Sequence, residues 1–334
     1  MTPSLRPAAA TLALAVAMGL TASAYLKFGS GTGGSSNALR WTRLPARYFV
    51  TDRGVPGVSA ADLASALDRA FAEWQAVESA AVTFERAGFT GAVPFEPEGM
   101  SVIGFDDRPD LERTLGATTY TYDTRTGEIV EADIFFNTAF AWSVTPGGET
   151  GRFDLESIAV HEIGHFVGLG HSAIGETEMR PGGGRRVIGA GAVLFPIAFS
   201  PGNIDGRALQ ADDIAGVSDI YPAGRFEDDT GSLAGNVTKN GRGVVGAHVV
   251  AFSVRTGRLV GSFTLTSDGR FTIAGLDPGP TVVRAEPLDD GDVESFLPDI
   301  PDVDIDFRVA FAPALVVVPQ GGQAGGVQIA VEPK

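Results

Sequence analysis

His161-Glu162-Ile163-Gly164-His165-Phe166-Val167-Gly168-Leu169-Gly170-His171 is the stretch from which the rest of this chain is best read. Asp154 ahead of it is a good helix N-cap, and residues 155–167 suit a helix. On a helix His161 and His165 stand four positions apart, so both imidazoles leave one face about one turn apart. That separation suits two nitrogens binding one Zn2+ at about 2.0–2.1 Å. Gly168 lets the chain leave the helix through a conformation that a Cβ resists, and the turn brings His171 back as a third ligand. Three neutral imidazoles leave one position open, the mark of a catalytic rather than a closed structural zinc. Glu162 follows the first ligand and points beside the metal, which makes it the candidate catalytic general base and acid. Five fixed positions in a chain of this length arise by chance on the order of 10⁻⁵.

Composition narrows the setting. The chain has 334 residues, a length that suggests two domains, and 44 glycines, which point to many turns and a strand-rich chain. A formal net charge of −16 argues against nucleic acid and against anionic membrane surfaces as partners. With no cysteine, disulfides, thiolate metal sites and a cysteine nucleophile are excluded. Four histidines exist, and three of them lie in the stretch quoted above.

At the N-terminus, Arg6 precedes an apolar run of about 13 residues, short of the roughly 20 needed to span a bilayer. Ala22-Ser23-Ala24 then forms a small-residue cleavage site, so residues 1–24 read as a signal peptide cut after Ala24, giving a secreted protein. No cysteine follows the run, so no lipid anchor is expected; the alternative is an uncleaved N-terminal anchor. Residues 25–37 are Gly/Ser-rich and read as a flexible segment.

Further along, Ser59 is a candidate N-cap for a helix over 61–77, with Leu63, Leu67, Ala70, Phe71, Trp74 and Val77 at helical spacing. Short strands are expected at 47–51, 82–84 and 101–105, and a hairpin at 114–122 and 129–136 around a turn at 123–127. Residues 181–206 read as a Gly/Pro-rich loop with an apolar centre, and 209–220 as a third helix. After residue 223 short β-rich runs alternate with turns such as Ser267-Asp268-Gly269, which suggests an all-β sandwich over 224–334.

The quoted stretch, extended to Ser172, resembles the zinc signature of the metzincins and specifically of the matrixins. The resemblance covers about residues 38–222. It implies an α+β fold: a metzincin domain over 38–223, with a twisted mixed sheet and three main helices. It also implies zinc-dependent hydrolysis of peptide bonds in protein or peptide substrates. Met179, in Glu178-Met179-Arg180-Pro181, matches the family's Met-turn, whose Met floors the zinc. Pro181 stands where other metzincins carry an extra Tyr ligand, so none is expected. Leu115-Gly116-Ala117-Thr118 resembles the edge strand that binds substrate backbone by strand addition, with Pro181 a further candidate substrate contact. The 182–207 loop is expected to wall the specificity pocket. Calcium is common in the family, and Asp106, Asp107, Asp123, Glu131 and Asp133 are candidate Ca2+ ligands; solvated turn carboxylates are the alternative.

Two family features have no counterpart. The second, structural zinc of matrixins needs three histidines and an aspartate, and the only remaining histidine is His248. The cysteine of the animal pro-segment is absent. The 224–334 segment resembles a carboxypeptidase regulatory-like, transthyretin-type β-sandwich, through Gly235-Asn236-Val237, Gly246-Ala247-His248-Val249 and Gly275-Leu276-Asp277-Pro278-Gly279. A monomer is expected. The competing reading is an exported binding or adhesion protein in which the sandwich works and the protease domain is a scaffold.

Overall fold

The computed structural model describes residues 27–30, 37–96, 99–111, 113–181, 183–298 and 300–334. The signal-peptide reading and most of the 25–37 segment fall outside these residues. Among the described residues no helix is long and apolar enough to cross a membrane.

Five strands carry the first part of the chain: β1 (Ala46–Thr51), β2 (Phe84–Thr90), β3 (Val102–Asp106), β4 (Gly116–Tyr122) and β5 (Ile129–Asn137). They lie in the order β2-β1-β3-β5-β4. All neighbours are parallel except β4 and β5, which pair antiparallel. Asp123 makes the turn between β4 and β5 by accepting from the backbone N–H groups of Arg125 and Thr126, at 2.8 and 3.1 Å. Gly127 completes it at φ +75°. β3 and β5 are buried along nearly their whole length, because helices and loops cover them. β4 closes one edge of the sheet, so one row of its backbone groups has no strand beside it. β2 begins where the sequence reading ends its strand, at Phe84; partly exposed along its length, it lacks the alternation that marks a half-buried strand.

Helix α1 (Ala60–Gln75) starts in a capping box: Ser59 Oγ accepts from the Asp62 N–H at 3.1 Å, and Asp62 accepts from the Ser59 N–H at 3.0 Å. Its apolar stripe is buried as the spacing predicts. Helix α2 (Leu155–Phe166) carries the histidines and begins at Asp154, which accepts from the Ser157 N–H at 2.9 Å and is paired with Arg207. The two helices lock where Trp74 Nε1 donates to the Val160 carbonyl at 2.9 Å. The segment expected as a loop after α2 instead holds a hairpin, β6 (Gly175–Met179) with β7 (Arg185–Ala190). Helix α3 (Ala211–Ile220) follows.

The C-terminal region is built of strands. In one sheet β8 (Gly231–Lys239) pairs antiparallel with β11 (Arg270–Leu276) and parallel with β13 (Gln323–Val331). In another, β9 (His248–Ser253) lies between β10 (Leu259–Phe263) and β12 (Gly279–Glu286). Alternate residues of β8 and β12 are buried. Leu233, Phe271 and Ile273 from one sheet share a buried cluster with Val249, Val283 and Ala285 from the other, an arrangement compatible with a β-sandwich. A second buried cluster joins the two parts of the chain: Ala173, Val187 and Phe195 meet Phe263, Leu288, Phe296 and Leu297. Beside it, Asp212 at the start of α3 accepts from the Gly261 N–H at 2.8 Å.

Candidate metal centre and cleft

Helix α2 ends inside the protein, and its last carbonyls have no helical partners of their own. The Val167, Leu169 and Gly168 N–H groups close on the Ile163, Gly164 and His165 carbonyls, and other elements supply the remaining donors. Tyr120 on β4 donates to the His165 carbonyl, Trp41 Nε1 to that of Phe166 at 2.9 Å, and Tyr221 to that of Val167 at 3.0 Å. The Phe28 N–H closes on Gly168 at 3.0 Å. Gly168 itself has φ +99°, and a Cβ there would stand 2.1 Å from the Leu39 carbonyl oxygen. The exit from the helix is therefore fixed, and it returns His171 toward His161 and His165.

The three rings converge. Ring centroids are 4.8 Å apart for His161–His165, 4.8 Å for His165–His171 and 5.4 Å for His161–His171. Their ligand nitrogens lie within 4.8 Å of one another, the only such group of potential metal ligands among the described residues. Each Nδ1 faces a backbone carbonyl: His161 that of Val193 at 2.8 Å, His165 that of Leu169 at 2.8 Å, and His171 that of Ser295 at 2.5 Å. A carbonyl only accepts, so each Nδ1 carries the proton and each Nε2 a lone pair. The 3.2 Å approach of His161 Nε2 to His165 Nε2 is then two acceptors facing each other and not a hydrogen bond. Two nitrogens on one tetrahedral zinc stand about 3.3 Å apart, so the donor set fits that ion. Burial lowers the pKa of all three rings, that of His171 to about 3 and that of His165 well below its usual value, which keeps them neutral.

Glu162 is buried beside the triad. Burial pushes its carboxyl up to about 8, opposed by Thr118, whose hydroxyl donates to Oε2 at 2.8 Å. Gly116 leaves room for it: a Cβ there would stand 3.1 Å from Glu162 Oε1. A cleft of about 1290 Å³ opens over these groups. One side is the edge of β4 with Leu115, Gly116 and Ala117; the other is apolar, from Val193, Phe195, Pro196, Ile197 and Phe199.

Two expected site residues are not placed as the resemblance implies. Met179 lines the cleft but does not floor the histidines; it ends β6 opposite Arg185 and is 63% exposed. The β6–β7 hairpin sends the chain outward first, so its return beneath α2 comes only at 192–195. There Leu194 is buried: a Cβ on Gly164 would stand 2.7 Å from its Cδ2 and 2.9 Å from Trp74. Pro181 lies exposed in the hairpin turn and does not line the cleft.

The five candidate calcium carboxylates are not gathered into one site. Asp133 is buried and accepts from the Phe95 and Val102 N–H groups at 2.7 and 2.8 Å, and Glu131 from that of Gly99 at 3.1 Å. Asp106 and Asp107 brace the 106–138 loop contact, and Asp123 holds its turn. Sequence spacing missed the side chains and carbonyls that hold the centre from a distance, namely Thr118, Tyr120, Val193, Leu194 and Ser295. Nothing in the local pattern around any of them marks it.

Three inward lone pairs, a buried carboxylate and an open groove along a strand edge are the parts of a metal-dependent hydrolase. Residues 40–183 match the Matrixin family of peptidases. The chain is similar to Metalloendoproteinase 4-MMP of Arabidopsis thaliana, 31% identical over 197 residues that make up 54% of this chain and 48% of that protein. It is 28% identical to Metalloendoproteinase 1 of Glycine max, over 47% of this chain and 45% of that one. Against Interstitial collagenase of Oryctolagus cuniculus the identity is 24%, over 54% and 33%. The chain thus spans about half or less of the length of these relatives. The family match over residues 40–183 and these relatives support a zinc metalloendopeptidase similar to the matrixins.

Proposed function

We propose that the whole protein is a secreted zinc-dependent endopeptidase of two domains, 38–223 and 224–334, that cleaves extracellular proteins. The observation that carries this is the convergence of three Nε2 lone pairs beside the buried Glu162 carboxylate. His161, His165 and His171 would hold the ion. When bound, zinc would supply a Lewis acid for the scissile carbonyl and bring the pKa of water from 15.7 toward about 7.

The chain's own groups do the rest. An extended substrate segment can pair with the open edge of β4 at 115–117, which lays its backbone across the cleft. Glu162, desolvated and steadied by Thr118, takes the proton of the attacking water and returns it to the leaving amine. The apolar wall from Val193 to Phe199 favours a large apolar side chain beside the scissile bond. The intact triad and Glu162 weigh against a scaffold role for this domain.

The test is hydrolysis of casein and of a proteome-derived peptide library, with and without chelator, beside Glu162→Gln. Wild-type protein should bind one zinc and cleave. The variant should keep its zinc and lose activity by at least about 10²-fold, the scale of a lost general base. Wild-type protein that holds zinc yet cleaves no library peptide would sink this reading.

A further inference from the structure

We propose that the C-terminal region completes the metal centre: segment 290–296 is the positioning element for His171. This rests on the metal-centre reading above.

The three ligand rings are not anchored alike. His165 leans on a carbonyl 4 residues away and His161 on one 32 residues away, but the partner of His171 lies 124 residues on, at Ser295. The source of that carbonyl is simple. Val293–Phe296 is a single helical turn, and the carbonyls that end a helix have no partner within it. The Ser295 carbonyl is one of these, and the His171 Nδ1–H supplies what the turn cannot. Without it the proton on the ring is free to sit on Nε2, the atom that must present a lone pair.

The turn is held against the peptidase domain at both ends. Ahead of it, Asp290 Oδ1 accepts from the Thr177 N–H at 2.6 Å, and the Thr177 hydroxyl donates to the Asp290 carbonyl at 2.9 Å. At its end Phe296 is buried against Phe195, with ring centroids 6.2 Å apart. Gly291 lets Phe296 fold back, since a Cβ there would stand 2.8 Å from its ring. Asp292 and Ser295 also line the cleft. The strand-rich region is therefore part of the site and not a tether behind it.

The test uses the full-length chain and zinc alone as probe, by chelator competition, together with the visible absorption of the Co2+-substituted protein. Asp290→Ala and Phe296→Ala should weaken zinc binding about 10- to 100-fold, the usual cost of losing a ligand's outer support, and should alter the Co2+ spectrum. Asp290→Asn keeps an oxygen acceptor for the Thr177 N–H and should restore wild-type affinity. Val237→Ala, in the core of β8 away from the cleft, should lower Tm and leave zinc affinity unchanged. The proposal is overturned if Asp290→Ala and Phe296→Ala both bind zinc within twofold of wild type. It is equally overturned if Val237→Ala weakens binding as much as they do. Wild-type protein that binds no zinc would instead remove the metal-centre reading beneath it.

Discussion

Gly116 shows how closely the residues around Glu162 are fitted. A Cβ there would meet Glu162 Oε1 at 3.1 Å and the Phe135 carbonyl at 3.0 Å, so either the carboxylate or the strand must shift. Displacements of a catalytic group well under 1 Å are costly to rate. Gly116→Ala should therefore lower kcat by about 10- to 100-fold while zinc content and Tm stay near wild type. Steady-state kinetics beside metal analysis check this, and an alanine variant as active as wild type would show that the carboxylate has room to spare. The placement of His161, His165 and Glu162 was legible in the sequence because a helix fixes which face each side chain leaves. The role of Gly116 beyond strand membership was not, because it depends on a carboxylate 46 positions away.

Among the elements, the β6–β7 hairpin has the largest consequence. Its strands, Gly175-Glu176-Thr177-Glu178-Met179 and Arg185-Arg186-Val187-Ile188-Gly189-Ala190, are mostly exposed and carry no sustained apolar alternation, so the sequence shows only a loop. By pairing Met179 with Arg185 it leaves that methionine exposed on the lining of the cleft and assigns the packing under α2 to Leu194. Leu194→Ala should then cost about 2–4 kcal/mol, as buried leucine truncations do, and should weaken zinc binding. Met179→Ala should change neither stability nor zinc affinity. Denaturant unfolding and chelator competition on the pair decide it, and the reverse ranking would restore Met179 as the floor. Helix α2 was readable end to end because its signals are local: Asp154 caps it and Gly168 terminates it. The tyrosine and tryptophan side chains that satisfy its last carbonyls come from positions 41, 120 and 221, and no local signal announces them.

In the molecule as a whole, acid should act through a group that does not line the cleft. Burial alone would raise the pKa of Glu286, but its hydrogen bond to His248 at 3.0 Å, the charge there and the Arg284 guanidinium outweigh burial and hold it at about 2. Its folded-state pKa is depressed, so its contribution to stability is complete above the unfolded value of about 4.3 and is lost as pH falls from there through about 2. The amount is on the order of 2–3 kcal/mol. Glu286→Gln should be less stable than wild type at pH 6 and should lose less stability between pH 4.5 and 2, as followed by thermal unfolding across pH. Parallel acid profiles for the two proteins would refute the linkage. The same strand-rich region reaches the cleft through residues 290–296, so damage to one part of the molecule need not stay there.

The sequence by itself determined which three histidines and which glutamate stand together as the candidate ligands and base, the helices that carry and flank them and the change of character near residue 224. All of these follow from short-range rules: helical spacing, caps, turn residues and alternation. Tertiary structure alone decided which residue packs beneath α2, that the candidate calcium carboxylates are tied separately to backbone and hydroxyl groups, and that His171 takes its anchor from Ser295. Those outcomes depend on closing loops of tens to more than a hundred residues, and a sequence pattern carries no record of which distant backbone group will arrive to meet an unpaired ring nitrogen.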